Sequence, residues 1–212
     1  MNKFKKEKGK ALSTTDIFDI ARKTCNVLKY PDLQQFDSID DLFEESSSDY
    51  QLLRPQYDFD DNTCILLYMS RPNFGHWCSI TRKPDNAHDV PSRRGGTRLD
   101  VPSRRGGTRL DFLDPYGTII DDQLDFINPK FRHESSQDQA YLCKLLSDFD
   151  GEVHYNNTPL QKLDGKTSTC GRYAALFLKH NQIPVEKFAN SLKKASIKHK
   201  IPVDDIVTMM TY

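Results

Sequence analysis

No stretch of this 212-residue sequence is apolar enough to cross a membrane. The longest apolar run, 64–69, is far shorter than the ~20 residues a spanning helix needs. The N-terminus, MNKFKKEKGKALSTTDIF, carries charge but no apolar export segment. Cysteines are few: 25, 64, 78, 143 and 170, odd in number and never spaced C-x-x-C. That pattern argues against a closed disulfide framework and a structural zinc site, and suits a reducing compartment with a free thiol. An excess of charge is also missing, with 30 basic and 30 acidic residues and 37% hydrophobic residues. Such a composition lies outside the disordered class. These absences predict a soluble, monomeric, non-secreted single domain spanning 1–212, with no membrane attachment and no metal.

The zero net charge hides local fields. Five lysines crowd residues 1–10, nine acids face one base over 37–61, and Lys193, Lys194, Lys198 and Lys200 form a late cluster. Residues 1–12 read as a flexible basic arm. The segment DVPSRRGGTRL occurs twice, at 89–99 and 100–110. It is too short to be a solenoid unit and reads as a tandem duplication lengthening a mobile loop over 84–109. Its arginines, Arg93, Arg94, Arg98, Arg104, Arg105 and Arg109, suit phosphate contact without base reading, as do the lysine clusters. A merely solvated loop accounts for them equally well.

Ser13 to Asp16 can cap a helix, and Ile17, Ile20, Ala21, Cys25 and Leu28 follow at helical spacing. A short helix is expected within 31–50, then a serine-rich loop. Strands are expected at 64–69, 75–81, 110–114 and 153–156, and helices at 136–149, 170–180, 185–193 and 203–210. The expected class is α+β, a small mixed sheet packed against the helix that begins at Cys170.

Thr167-Ser168-Thr169-Cys170-Gly171 runs directly into the 170–180 helical pattern. A sulfur at a helix N-terminus is placed where the thiolate is favoured, and Gly171 leaves room for a substrate backbone. A buried structural cysteine fits the local pattern equally well. His76 opens a strand beside Trp77, an aromatic able to shield an ion pair and wall a narrow cleft. His154 is the competing base, but strand alternation points it outward, with Val153 and Tyr155 inward. Asp114 ends the next strand, where a carboxylate can accept the second imidazole N–H; Asp111 has the opposite parity. Gln161 can donate its amide to an oxyanion alongside the Cys170 backbone N–H.

In order, GHW, FLDPYG, PLQ and TSTCGRYAALFL resemble the adenovirus-type (adenain-like) maturation proteases of DNA viruses, within the SUMO/ubiquitin-like protease superfamily. STTDIFDIARK is similar to the N-terminal helix of such proteases from large DNA viruses and virophages. The resemblance implies a papain-like core in circularly permuted order, with His76, Asp114, Gln161 and Cys170 catalytic and Trp77 and Gly171 beside the substrate. It implies a cysteine endopeptidase that processes capsid and core precursors at Gly-Gly-X or small-residue sites, in the virion or the viral factory of the host cytoplasm. No cofactor is required from sequence; DNA or a peptide is the activator the family suggests. The alternatives are a SUMO- or ubiquitin-deconjugating isopeptidase, an acyltransferase, and a non-catalytic nucleic-acid-binding protein. Gly95-Gly96-Thr97 and Gly106-Gly107-Thr108 resemble the same cleavage type, though glycines that simply turn the loop explain them as well.

Overall fold

The computed structural model describes residues 3–43, 54–84, 108–165 and 167–212. It is an α+β fold built on one five-stranded mixed sheet, in the order β1-β2-β3-β4-β5. The strands are β1 (Lys23–Lys29), β2 (Asp58–Arg71), β3 (Phe74–Pro84), β4 (Thr108–Leu113) and β5 (Glu152–Tyr155). The central pairs β2–β3 and β3–β4 are antiparallel, while β1–β2 and β4–β5 are parallel. The helices are α1 (Lys3–Lys8), α2 (Thr14–Ala21), α3 (Pro129–Glu134), α4 (Tyr141–Leu146), α5 (Cys170–Lys179), α6 (Val185–His199) and α7 (Val203–Met210). Among the described residues no helix is long and apolar enough to cross a membrane.

Apolar side chains cover both faces of the sheet, because alternate residues of a strand point to opposite sides. Leu66, Tyr68, Cys78, Ile80 and Phe112 face a core closed by Tyr30, Leu124, Ile127 and Leu142. Ile65, Leu67, Met69 and Trp77 face the other way, against α2 and α5 through Ile17, Phe18, Ala174 and Leu178. A third cluster joins α5 to α6 and α7 through Tyr173, Phe177, Phe188 and Val207. Helix α5 is therefore buried from Cys170 to Leu178, as expected of a helix that is apolar on nearly every side.

Several expectations change. The helix opened by Ser13 does form, with Ser13 Oγ accepting from Asp16 N and Asp16 accepting from Ser13 N. It stops at Arg22, whose φ is 59°, so Cys25 and Leu28 lie on strand β1 rather than further along the helix. The short helix of 31–50 is two 3-10 turns, Tyr30–Gln35 and Asp40–Phe43, and the serine-rich stretch lies outside the described residues. The single helix of 136–149 is only α4, preceded by α3. Ser136 at φ 56° separates them, and buried Gln137 pairs with both backbone groups of Met69 at 2.9 Å, extending the β2 ladder with a side chain.

Residues 3–8 are a docked helix rather than a flexible arm. Lys8 Nζ is 2.7 Å from Asp205, and Arg172 reaches the Glu7 carbonyl at 3.0 Å and its carboxylate at 3.1 Å. The strands also run further into the 84–109 segment than expected, since β3 ends at Pro84 and β4 starts at Thr108. Residues 85–107 lie outside the described residues, and with them Arg93, Arg94, Arg98, Arg104 and Arg105.

The β2–β3 turn imposes one sharp constraint. A Cβ on Gly75 would lie 1.8 Å from the Tyr68 carbonyl oxygen, so no side chain fits beside His76. Overpacking of this kind costs on the order of 3 kcal/mol, and Gly75→Ala is expected to lower Tm by roughly 6–12 °C in a calorimetric melt.

Candidate active site

The β3–β4 register brings the imidazole and the carboxylate together. Ser79 pairs with Leu113, so position 114, one step on, stands across from Cys78, and His76 is its diagonal neighbour on the same face. His76 Nε2 lies 2.7 Å from Asp114 Oδ1. Asp114 has no exposed surface and is held from every side. Oδ1 also accepts from Tyr116 N at 2.8 Å. Oδ2 accepts from Gln123 Nε2 at 2.7 Å, from Thr118 N at 3.3 Å, and from the Thr118 hydroxyl. Asn156 clamps the backbone of Asp114, accepting from its N–H at 2.9 Å and donating to its carbonyl at 2.6 Å. Burial pushes this carboxyl up, but His76, Thr118 and the Tyr116 N–H outweigh it and hold it below the usual carboxylate range.

Cys170 is the first residue of α5, 9% exposed. Burial raises its thiol pKa, but His76 and the backbone N–H groups of Trp77 and Gly171 reverse the shift and leave it below that of an ordinary thiol. The other four cysteines move the opposite way. Burial raises Cys25 and Cys64 strongly, pushes Cys78 up to about 12, and helps lift Cys143 to about 11. His76 shifts upward: burial lowers it, while Cys78, Asp114 and Cys170 raise it further. Cys78 stays protonated near neutrality, so the charges that matter are Asp114 and Cys170. With Nε2 fixed by Asp114, Nδ1 is the nitrogen left for Cys170. It is buried and makes no hydrogen bond of ordinary length. Tyr116 stacks on the imidazole, ring centroids 4.2 Å apart at 11°.

His76, Trp77, Tyr116 and Cys170 line a cleft of about 590 Å³. Its floor and rim are largely apolar, with exposed Phe74, Phe126 and Leu163 at the edge. Trp77 lines the cleft, anchored by its Nε1 to the Leu12 carbonyl at 3.1 Å. Gly171 has a different use from the one expected. A Cβ there would meet Leu12 Cβ at 2.9 Å and Trp77 Cδ1 at 3.2 Å. The missing side chain admits the chain's own N-terminal segment, and Leu12, Ser13 and Thr14 become a wall of the cleft.

Gln161 is close but otherwise engaged. Its backbone N–H donates to the Pro115 carbonyl at 2.8 Å. Its Nε2 donates to the Thr167 carbonyl at 3.1 Å and to Tyr116 Oη at 3.3 Å, while Oε1 is buried without a partner. The competing residues are tied elsewhere. His154 has both ring nitrogens against carboxylates, Glu186 at 2.6 Å and Glu152 at 2.9 Å, and Tyr155 is exposed rather than inward. Asp111 accepts from Lys83 and Arg109. Arg109 is thereby removed from the proposed phosphate-binding set: it lies on β4 with its guanidinium between Asp111 at 2.6 Å and Glu186 at 2.7 Å.

Sequence reasoning missed the residues that brace the site. Buried Asp204 of α7 accepts from Thr169 Oγ1 at 2.5 Å, Tyr173 Oη at 3.2 Å and Lys162 N at 3.0 Å. Arg172, 2% exposed, ties α5 to Glu7 and to Thr211. An arginine inside an otherwise apolar helical run was the available signal. His76, Cys78 and Asp114 offer a nitrogen, a sulfur and an oxygen within 4.8 Å. The carboxylate oxygens and Nε2 are already hydrogen-bonded to each other and to neighbours, which suits a proton-handling group better than a metal cage.

No family model matches the chain. It is 26% identical over 201 residues, 95% of this chain and 94% of the relative, to "Uncharacterized protein V9" of Sputnik virophage. The relationship to a virophage protein thus extends along nearly the whole length.

The opposed shifts of His76 and Cys170 set a pH window. The thiolate forms as pH rises through the lowered Cys170 pKa, and the ion pair lasts until pH rises through the raised His76 pKa. The rate of iodoacetamide alkylation against pH should turn upward below the ~8.5 of a free thiol. In His76→Ala only burial and the backbone donors remain, and the midpoint should rise. Equal midpoints in the two proteins would break the proposed pairing.

Proposed function

We propose that the protein is a cysteine peptidase in which Cys170 is the nucleophile, His76 the base and then acid, and Asp114 the group that orients the imidazole. The observation that carries this is the arrangement in one cleft: a fully buried carboxylate fixing one ring nitrogen of His76, with the other left for the single cysteine whose pKa is lowered. In this reading the sheet and α5 form a papain-like core in permuted order, with histidine, then aspartate, then cysteine along the chain.

The Cys170 thiolate attacks a peptide carbonyl, forming an S–C bond while the π pair moves to oxygen. Collapse breaks the C–N bond, and the His76 proton goes to the leaving amine. Water, deprotonated by His76, then hydrolyses the thioester. The Tyr116 face and Trp77 exclude water from the pair, which strengthens it.

We assign the substrates to structural precursor polypeptides of a virus particle, cut after small residues such as Gly-Gly, on the family resemblance and the virophage relative together. A deconjugating isopeptidase would use the same site. The test is turnover of fluorogenic tetrapeptide amides, with Gly-Gly or Ala-Ala before the scissile bond, alongside a coexpressed particle precursor. Cys170→Ala and His76→Ala should each lower turnover by at least about 10³-fold, and the precursor should stay uncut. Hydrolysis that survives in Cys170→Ala would discard the assignment. Reaction with a ubiquitin-like vinyl sulfone but not with the precursor would move it to deconjugation.

A further inference from the structure

The amide of Gln161 is poorly placed to serve a developing oxyanion, since its Nε2 donates to Thr167 O and to Tyr116 Oη. The hydroxyl that receives one of those bonds keeps its own proton to give. Tyr116 lies in the cleft wall with Cys170 and His76, fixed there by stacking on the imidazole. It belongs to the turn Asp114–Gly117, closed by Gly117 N to Asp114 O at 2.8 Å, and Gly117 takes φ 69° where a Cβ would strike Thr158. The same turn holds the Gln161 loop through the two bonds that Leu160 N and Gln161 N make to Pro115 O. Tyr116 Oη thus accepts one hydrogen bond, and its own proton has no acceptor among the described residues.

We propose that Tyr116 is a catalytic residue of this site, its O–H donating to the oxyanion beside the Cys170 backbone N–H, with Gln161 as the positioning residue that aims it. The inference rests on the peptidase reading. When Cys170 Sγ bonds to the carbonyl carbon, the π pair becomes a lone pair on oxygen. Tyr116 and the first N–H of α5, which has no intrahelical acceptor, hydrogen-bond that oxygen without transferring a proton, and both bonds relax when the C=O re-forms. Burial raises the Tyr116 phenol pKa from its usual value, so the proton stays in place at working pH. The Gln161 bond lets the hydroxyl act as acceptor on one side and donor on the other, which polarises the donated bond.

The experiment uses the full chain and a tetrapeptide aminomethylcoumarin amide ending in Gly-Gly. Tyr116→Phe keeps the ring on His76 and removes only the hydroxyl. Its kcat should fall about 100-fold with KM within about twofold, while the rate and pH midpoint of Cys170 alkylation stay those of wild type, which also certifies the fold. Gln161→Leu should fall similarly, and the double variant should be little worse than either single one. A Tyr116→Phe kcat within about threefold of wild type overturns the proposal. So does an altered alkylation midpoint, which would mean the hydroxyl acts through the ion pair, and so do multiplicative losses in the double variant, which would make Gln161 an independent donor. Turnover that Cys170→Ala retains overturns the peptidase reading instead.

Discussion

A carboxylate with no exposed surface cannot stay ionised unless its lone pairs are filled, and Asp114 organises much of the molecule around that requirement. Its oxygens take hydrogen bonds from His76, Tyr116, Thr118 and Gln123. To supply them, the chain must turn sharply after β4, bring Thr118 back, and lay the 3-10 turn Asp122–Phe126 against the same spot. Breaking a buried charge of this kind by removing one partner typically costs 3–5 kcal/mol. The turn is therefore pinned, and with it the plane and tautomer of His76. The fixed orientation of the imidazole is the by-product of satisfying one charge.

The Cys170 end of α5 is held by an independent device. Helix α5 is buried on almost every side, so its N-terminus is fixed by what covers it: Asp204 beneath Thr169, Leu12 in the gap left at Gly171, and Arg172 bridging Glu7 and Thr211. Segments from the two extremes of the described chain meet over this helix. Ser168 N also donates to Lys8 O at 3.1 Å. Leu12 to Thr14 pass beside Cys170 and share the lining of the cleft with it and with His76.

Much of this was readable in the sequence, for physical reasons that differ by residue. Strands β2, β3 and β4 announce themselves as apolar runs between turn residues, and strand parity alone favours Asp114 over Asp111 as the partner of His76. Strand β1 hides because Thr24, Cys25 and Asn26 are buried in succession, so no alternation marks it, and its apolar residues mimic a helical stripe. Helix α1 looks like a solvated basic arm because the groups that hold it, Arg172 and Asp205, are more than 160 positions away. Gly171 reads as open to a substrate because sequence cannot say which side of a glycine is empty. The bonds of the Gln161 amide stay hidden because nothing local reveals that the Thr167 carbonyl and the Tyr116 hydroxyl accept them.

The duplicated DVPSRRGGTRL segment poses a register problem that the site itself resolves. Each copy ends in Thr-Arg-Leu, and in the second copy these residues, 108–110, open β4 opposite Pro84, Lys83 and Arg82. The first copy offers the same three residues, 97–99, followed by Asp100-Val101-Pro102-Ser103. If that copy took the strand, Pro102 would stand where Leu113 pairs with Ser79, and proline cannot donate to a ladder. Ser103 would stand where Asp114 stands, leaving His76 without its carboxylate and Thr118 and Gln123 without their acceptor. The second copy runs on as Asp111-Phe112-Leu113-Asp114, which supplies the ladder donor, two buried apolar side chains and the charge that the cradle is built to receive. The repeat is locally degenerate, but the residues after it are not. The insertion also enters at the Pro84–Thr108 end of the β3–β4 pair, while His76 and Asp114 occupy the opposite end. Lengthening that connection leaves the His76–Asp114 pair where it was, because the strand choice is decided at the end that carries it.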